Sequence, residues 1–140
     1  TALLLCIRNE LPDRVIRNLE PMLGGIAASG YANHFHVYVL SDTSDAVVAA
    51  AEETQFAALA AAWQGKIPVT YRRRTLNTGF KAGNIRDFCE RWGDRHDFAL
   101  TLDADSLMSG ETMLAAPCAP SMTTLSPSSW LGSTRSRCAM

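Results

Sequence analysis

The chain has 140 residues, enough for one domain with a real core and too few for two comfortable ones. About 47% of it is apolar and 19% charged, and 13 basic residues against 14 acidic ones give a net charge of -1. This ordinary α/β balance leaves no electrostatic case for nucleic acid or an anionic membrane surface as partner. The four cysteines, Cys6, Cys89, Cys118 and Cys138, show no CxxC or other metal-ligand spacing, which argues for a reducing compartment and against a disulfide framework.

The opening run from Ala2 to Ile7 reads as a buried strand, ended by the polar Arg8-Asn9-Glu10. A chain that starts inside a core strand, with no signal peptide and no stretch of membrane-span length, is expected to be a piece of something longer. Pro12 suits the first turn of a helix whose Val15, Ile16, Leu19, Leu23 and Ile26 share one face until Gly30. Phe35 to Leu40 is a second strand, closed by Ser41-Asp42, and Ser44 is placed to cap an alanine-rich helix with Phe56, Leu59 and Trp63 along one side. Pro68 to Tyr71 is a short third strand. After a loop holding Asn77, Gly79 and Gly83, a helix beginning near Asn84 carries Ile85, Phe88, Cys89 and Trp92 at amphipathic spacing. Phe98 to Leu102 is a fourth strand, ending in Asp103-Ala104-Asp105.

Strands alternating with helices predict an α/β fold with a mainly parallel, Rossmann-like sheet. Beyond about Leu114 the composition turns to Ser, Thr, Pro and Ala without acidic residues. Residues 115–140 therefore read as an irregular or disordered tail, a product of truncation or a frameshift, behind a domain spanning 1–114.

In parallel sheets ligands bind beyond the carboxyl ends of the strands, and the polar clusters fall there: Asn9-Glu10, Asp42, Arg72 to Arg74, and Asp103-Ala104-Asp105. Two carboxylates one residue apart at a strand end let one serve a hard divalent cation, Mg2+ or Mn2+, and the other a hydroxyl. Against this stands an exposed acidic turn capped by Ser106. Lys81 before Gly83 offers a point charge for a phosphate, next to the free N–H groups of a helix start. Asp42 reads either as an acceptor for a ribose hydroxyl or base N–H, or as a helix cap together with Ser44, with Asp45 favouring the N-terminal dipole of that helix. The three arginines read as a solvated rim, with a phosphate-facing role as the alternative. His34, His36 and His96 read as surface or strand-edge residues. Two rival functions remain: a phosphohydrolase with Asp103 as nucleophile, and a non-enzymatic nucleotide-binding module. A dinucleotide fold is disfavoured because no GxGxxG follows the first strand.

Taken together, Asn9-Glu10, Val39-Leu40-Ser41-Asp42, Tyr71-Arg72-Arg73-Arg74, Lys81-Ala82-Gly83-Asn84-Ile85, Asp87-Phe88-Cys89, Arg91-Trp92-Gly93, Leu102-Asp103-Ala104-Asp105-Ser106 and Met108-Ser109-Gly110 resemble a family-2 glycosyltransferase domain of the GT-A fold. More closely, they resemble the cytoplasmic catalytic domain of the bacterial glucans biosynthesis glucosyltransferase H family, over residues 1 to about 114. The resemblance implies a UDP-glucose donor, a glucan acceptor, a divalent metal and inversion at the anomeric carbon. It also implies a bacterial inner-membrane enzyme, anchored by flanking segments, with this domain on the cytoplasmic side. By position, Asp42 would contact the uridine, Lys81 the donor phosphates, Asp103 ribose or sugar hydroxyls and Asp105 the metal, while Glu10 lies near the first nucleotide-contacting position. The family's later acidic base and its Arg/Gln-rich Trp motif are not visible after Leu114, so this chain is expected to carry the donor-binding half only.

Overall fold

The computed structural model describes residues 1–105 and the two-residue strand 123–124. β1 (Ala2–Ile7), α1 (Pro12–Ala28), β2 (His36–Ser41), α2 (Ala46–Ala62), β3 (Val69–Arg73), α3 (Phe80–Trp92), β4 (Phe98–Asp103) and β5 (Thr123–Thr124) follow in chain order, with single 3-10 turns before β2 and β4. The sheet runs β3-β2-β1-β4-β5. Its first four strands are parallel, and β5 pairs antiparallel with β4. The remainder of the predicted tail, and residues 106–114 of the predicted domain, lie outside the described residues.

The apolar run of β1 follows from its central position, since a strand covered on both faces has no polar side. Leu3, Leu5 and Ile7 face one way and join Val37 and Val39 under α1 and α2, which contribute Val15, Leu19, Leu23, Ile26, Phe56 and Leu59. Ala2 and Leu4 face the other way and join Tyr38, Leu40, Phe88, Cys89 and Ala99 under α3. Each Leu, Ile or Phe so withdrawn from water contributes about 1.5–3 kcal/mol. The two clusters therefore make a three-layer sandwich whose strand ends are left to carry chemistry. No helix among the described residues is long and apolar enough to cross a membrane.

Four expectations are corrected. The cap of α2 is Asp45, whose Oδ1 accepts from Val47 N and Val48 N at 2.9 Å each, while the Ser44 amide donates to Asn9. α3 begins at Phe80, a full turn before Asn84, which is itself buried and donates from Nδ2 to the Leu40 carbonyl at 2.9 Å. β3 extends to Arg73 because parallel pairing with β2 continues to Ser41. Strand alternation then turns Arg72 inward, where it donates to Asn84 Oδ1 at 2.7 Å and pairs with Asp87 at 3.0 Å. Arg72 and, through its pairing with Asp42, Arg74 are thus no solvated rim, while Arg73 stays exposed as expected. Finally, His36 and His96 are half-buried rather than superficial: Tyr38 OH lies 3.2 Å from His36 Nδ1 and 2.9 Å from His96 Nε2. Burial, then His96 and Arg95, push His36 down to about 4, so its ring is neutral near pH 7, and burial lowers His96 as well; both rings pack at the end of the sheet where β2 begins. His34 is exposed, as expected.

Candidate functional site

From β1 the chain steps outward through α1 and α2 to β2 and β3, and then crosses by α3 to place β4 on the other side of β1. The loops leaving β1 and β4 therefore diverge, and a crevice opens at this switch point. It is a cleft of about 760 Å³. All five residues singled out from the sequence, Glu10, Asp42, Lys81, Asp103 and Asp105, line it, although they come from four separate segments.

The end of the cleft beside β2 and β3 is closed and heavily bonded. Asp42 is 7% exposed and forms a two-pronged pair with Arg74, Nε to Oδ1 and Nη2 to Oδ2, both at 2.7 Å. That hydrogen-bonded pairing pushes the Arg74 guanidinium above its usual range. Arg74 also donates to the Thr78 carbonyl at 3.1 Å, to Asn77 Oδ1 at 3.3 Å and to the Phe80 carbonyl at 3.0 Å. The loop 77–80 is thereby folded over the first turn of α3. A Cβ on Gly83 would lie 1.9 Å from the Thr78 carbonyl oxygen, so only glycine permits this approach.

Beneath this end sits Glu52, wholly buried on α2. Its carboxylate accepts from Ser41 Oγ at 2.6 Å, Thr43 Oγ1 at 2.5 Å and Tyr71 OH at 2.9 Å. Burial, then the bond to Glu52, pushes the Tyr71 hydroxyl well above its usual range, so it remains a donor. Thr43 Oγ1 also accepts the Asn9 amide at 2.8 Å. Asn9, at φ 60°, in turn accepts from Ser44 N and Asp45 N at 3.0 and 3.1 Å. Its left-handed backbone suits the tolerance of Asn for that region. The loops after β1 and β2 are consequently one bonded platform flanking Asp42.

The end beside β4 is open. Asp103 and Lys81 form an ion pair with side chains 66% and 47% exposed, so Lys81 meets a carboxylate where phosphate was expected. Asp105 is exposed. Glu10 accepts from the Arg8 amide. Cys6 lies in the floor, and burial pushes its thiol up to about 11. A thiol so protonated is no nucleophile near neutral pH.

Among the described residues no three His, Cys, Asp or Glu side chains converge on a single point, so they form no closed metal cage. The exposed Asp105 nonetheless fits a hard cation of the Mg2+ or Mn2+ kind. Such ions take one or two carboxylates and complete their shell with phosphate oxygens and water.

Sequence reasoning missed Glu52 and the loop residues Asn77 and Phe80. Glu52 had a legible signal: Glu52, Phe56 and Leu59 share the spacing of one helix face, which puts a carboxylate among core residues. Phe80 had none, because its placement depends on a contact from Arg74.

No family model matches the chain. It is 46% identical over 115 residues to glucans biosynthesis glucosyltransferase H from the classical and El Tor strains of Vibrio cholerae, a match covering 82% of this chain and 16% of each relative. It is 43% identical over 113 residues to the protein of the same name from Shewanella oneidensis, covering 81% of this chain and 16% of that one. The chain thus spans about a sixth of the length of these relatives. Among solved structures, Staphylococcus aureus TarS 1-349 superposes with a TM-score of 0.55 at 16% identity, over 84% of this chain and 31% of that one. That likeness concerns the fold alone and agrees with the GT-A expectation.

Proposed function

We propose that this chain, homologous to a stretch of glucans biosynthesis glucosyltransferase H, is the nucleotide-sugar-binding half of a metal-dependent inverting glucosyltransferase. The parent would use UDP-glucose to extend a glucan acceptor, building osmoregulated periplasmic glucans. It would be held in the bacterial inner membrane by flanking segments, with this domain on the cytoplasmic side. The observation that carries the reading is the convergence of Glu10, Asp42, Lys81, Asp103 and Asp105 on one cleft at the switch point of a parallel sheet.

Asp42 takes the uridine. Both of its oxygens already accept from Arg74, but a carboxylate offers about four lone-pair sites, so it retains acceptors for a base N–H or ribose hydroxyl. Lys81 exchanges its exposed carboxylate partner for the donor diphosphate, and Asp103 meets sugar or ribose hydroxyls. Glu10 borders the same nucleotide from the β1 loop. Asp105 would hold Mg2+ or Mn2+, whose charge, when bound, offsets the negative charge that builds on the departing diphosphate. The acceptor hydroxyl attacks the anomeric carbon from the face opposite UDP, losing its proton to a carboxylate these residues do not supply.

Calorimetric titration with UDP-glucose, with and without Mn2+ or Mg2+, tests the reading. Metal-dependent binding that disappears in Asp105→Ala is expected. A folded chain that binds no donor with either metal would overturn it.

A further inference from the structure

Phe80 stands out by what it forgoes. Phe35, Phe56 and Phe88 are buried, whereas Phe80 is 67% exposed and lines the cleft. It also adopts φ +49°, a left-handed conformation that a bulky L residue rarely takes and that costs folding free energy. Exposure and strain together bring no packing gain.

The strain is imposed by the closed end of the cleft. Arg74 Nη2 binds the Phe80 carbonyl at 3.0 Å while the same nitrogen binds Asp42 Oδ2 at 2.7 Å. Gly79 before it is also left-handed, and Thr78 is wedged against Gly83. The residue is therefore locked to the Asp42 corner and not to the exposed Asp103–Asp105 turn. An apolar ring lining the same cleft as Asp42 and Asn77, on a residue whose carbonyl Arg74 holds, offers a face and an edge together. A planar heterocycle needs that combination: π-stacking on its face and polar partners on its rim.

Building on the donor reading above, we propose that Phe80 is the stacking wall for the planar base of the nucleotide, held in position by the Arg74–Asp42 pair. Its role is to set base affinity, and its cost is borne as local strain.

The test compares Phe80→Gly and Phe80→Trp with the unaltered chain, titrating each with UMP and with UDP-glucose in Mn2+ and recording thermal midpoints without ligand. Glycine accepts φ +49° freely. Phe80→Gly is therefore expected to melt no lower than the parent while binding both ligands at least about fivefold more weakly, by the same factor. Phe80→Trp should restore binding. Unchanged affinity in Phe80→Gly would overturn the proposal, as would a loss confined to UDP-glucose, which would place the ring against the sugar. Loss accompanied by a lowered midpoint would mark a structural residue and also overturn it. If the unaltered chain bound neither ligand, the donor reading itself would fall and this inference with it; binding by the unaltered chain and by Phe80→Gly alike would remove only the role of Phe80.

Discussion

Each end of the cleft carries an acid–base pair, and the pairs are opposites. Asp42 and Arg74 have side chains 6% and 11% exposed and meet through two parallel hydrogen bonds. Asp103 and Lys81 have side chains 66% and 47% exposed and meet at a single oxygen. Breaking a buried pair strands a charge away from water, whereas an exposed pair trades its partner for solvent at almost no cost. One end is preorganised and the other exchangeable. A nucleotide sugar would need both, a fixed corner for its base and a labile cation for its diphosphate.

Substitutions at the two ends should differ accordingly. Asp42→Ala leaves the Arg74 guanidinium without its carboxylate, and a loss of about 3–5 kcal/mol in urea unfolding is expected. A loss below about 1 kcal/mol would mean that water screens the corner as it screens the open end. Gly83→Ala attacks the same end through packing. Its new Cβ meets the Thr78 carbonyl at 1.9 Å, so the loop 77–80 must shift, with an expected cost of about 1–3 kcal/mol, reduced by the better helix propensity of alanine. A variant as stable as the parent would show that the loop is not held against α3. Lys81→Met, at the open end, should change unfolding free energy by no more than about 1 kcal/mol, yet weaken UDP-glucose in the titration. A large stability loss with unchanged donor binding would reverse the assignment of the two ends.

The frame of the molecule was readable because periodicity survives without tertiary knowledge. The run in β1, the one-faced spacing of α1 and the amphipathic core of α3 each require only local burial. Polar residues at strand ends were legible for the same reason, since alternating β/α segments put them at one edge of the sheet. Charged partners were not. Arg72 and Arg74 are near neighbours in sequence but point to different structures, Arg72 to Asn84 and Asp87 on α3 and Arg74 to Asp42 at the end of β2. Nothing in a run of three arginines distinguishes them.

The sequence by itself determined the element order, the faces that meet and the five cleft residues named in advance, because apolar spacing and strand-end polarity are properties of short segments. Tertiary structure alone decided that Asp42 is paired with Arg74 while Asp103 holds Lys81, that Glu52 serves three hydroxyls, and that Phe80 is held left-handed at the cleft. Those outcomes depend on contacts between residues 6 to 32 positions apart, whose geometry is set by which strands neighbour one another and by how much water remains between them.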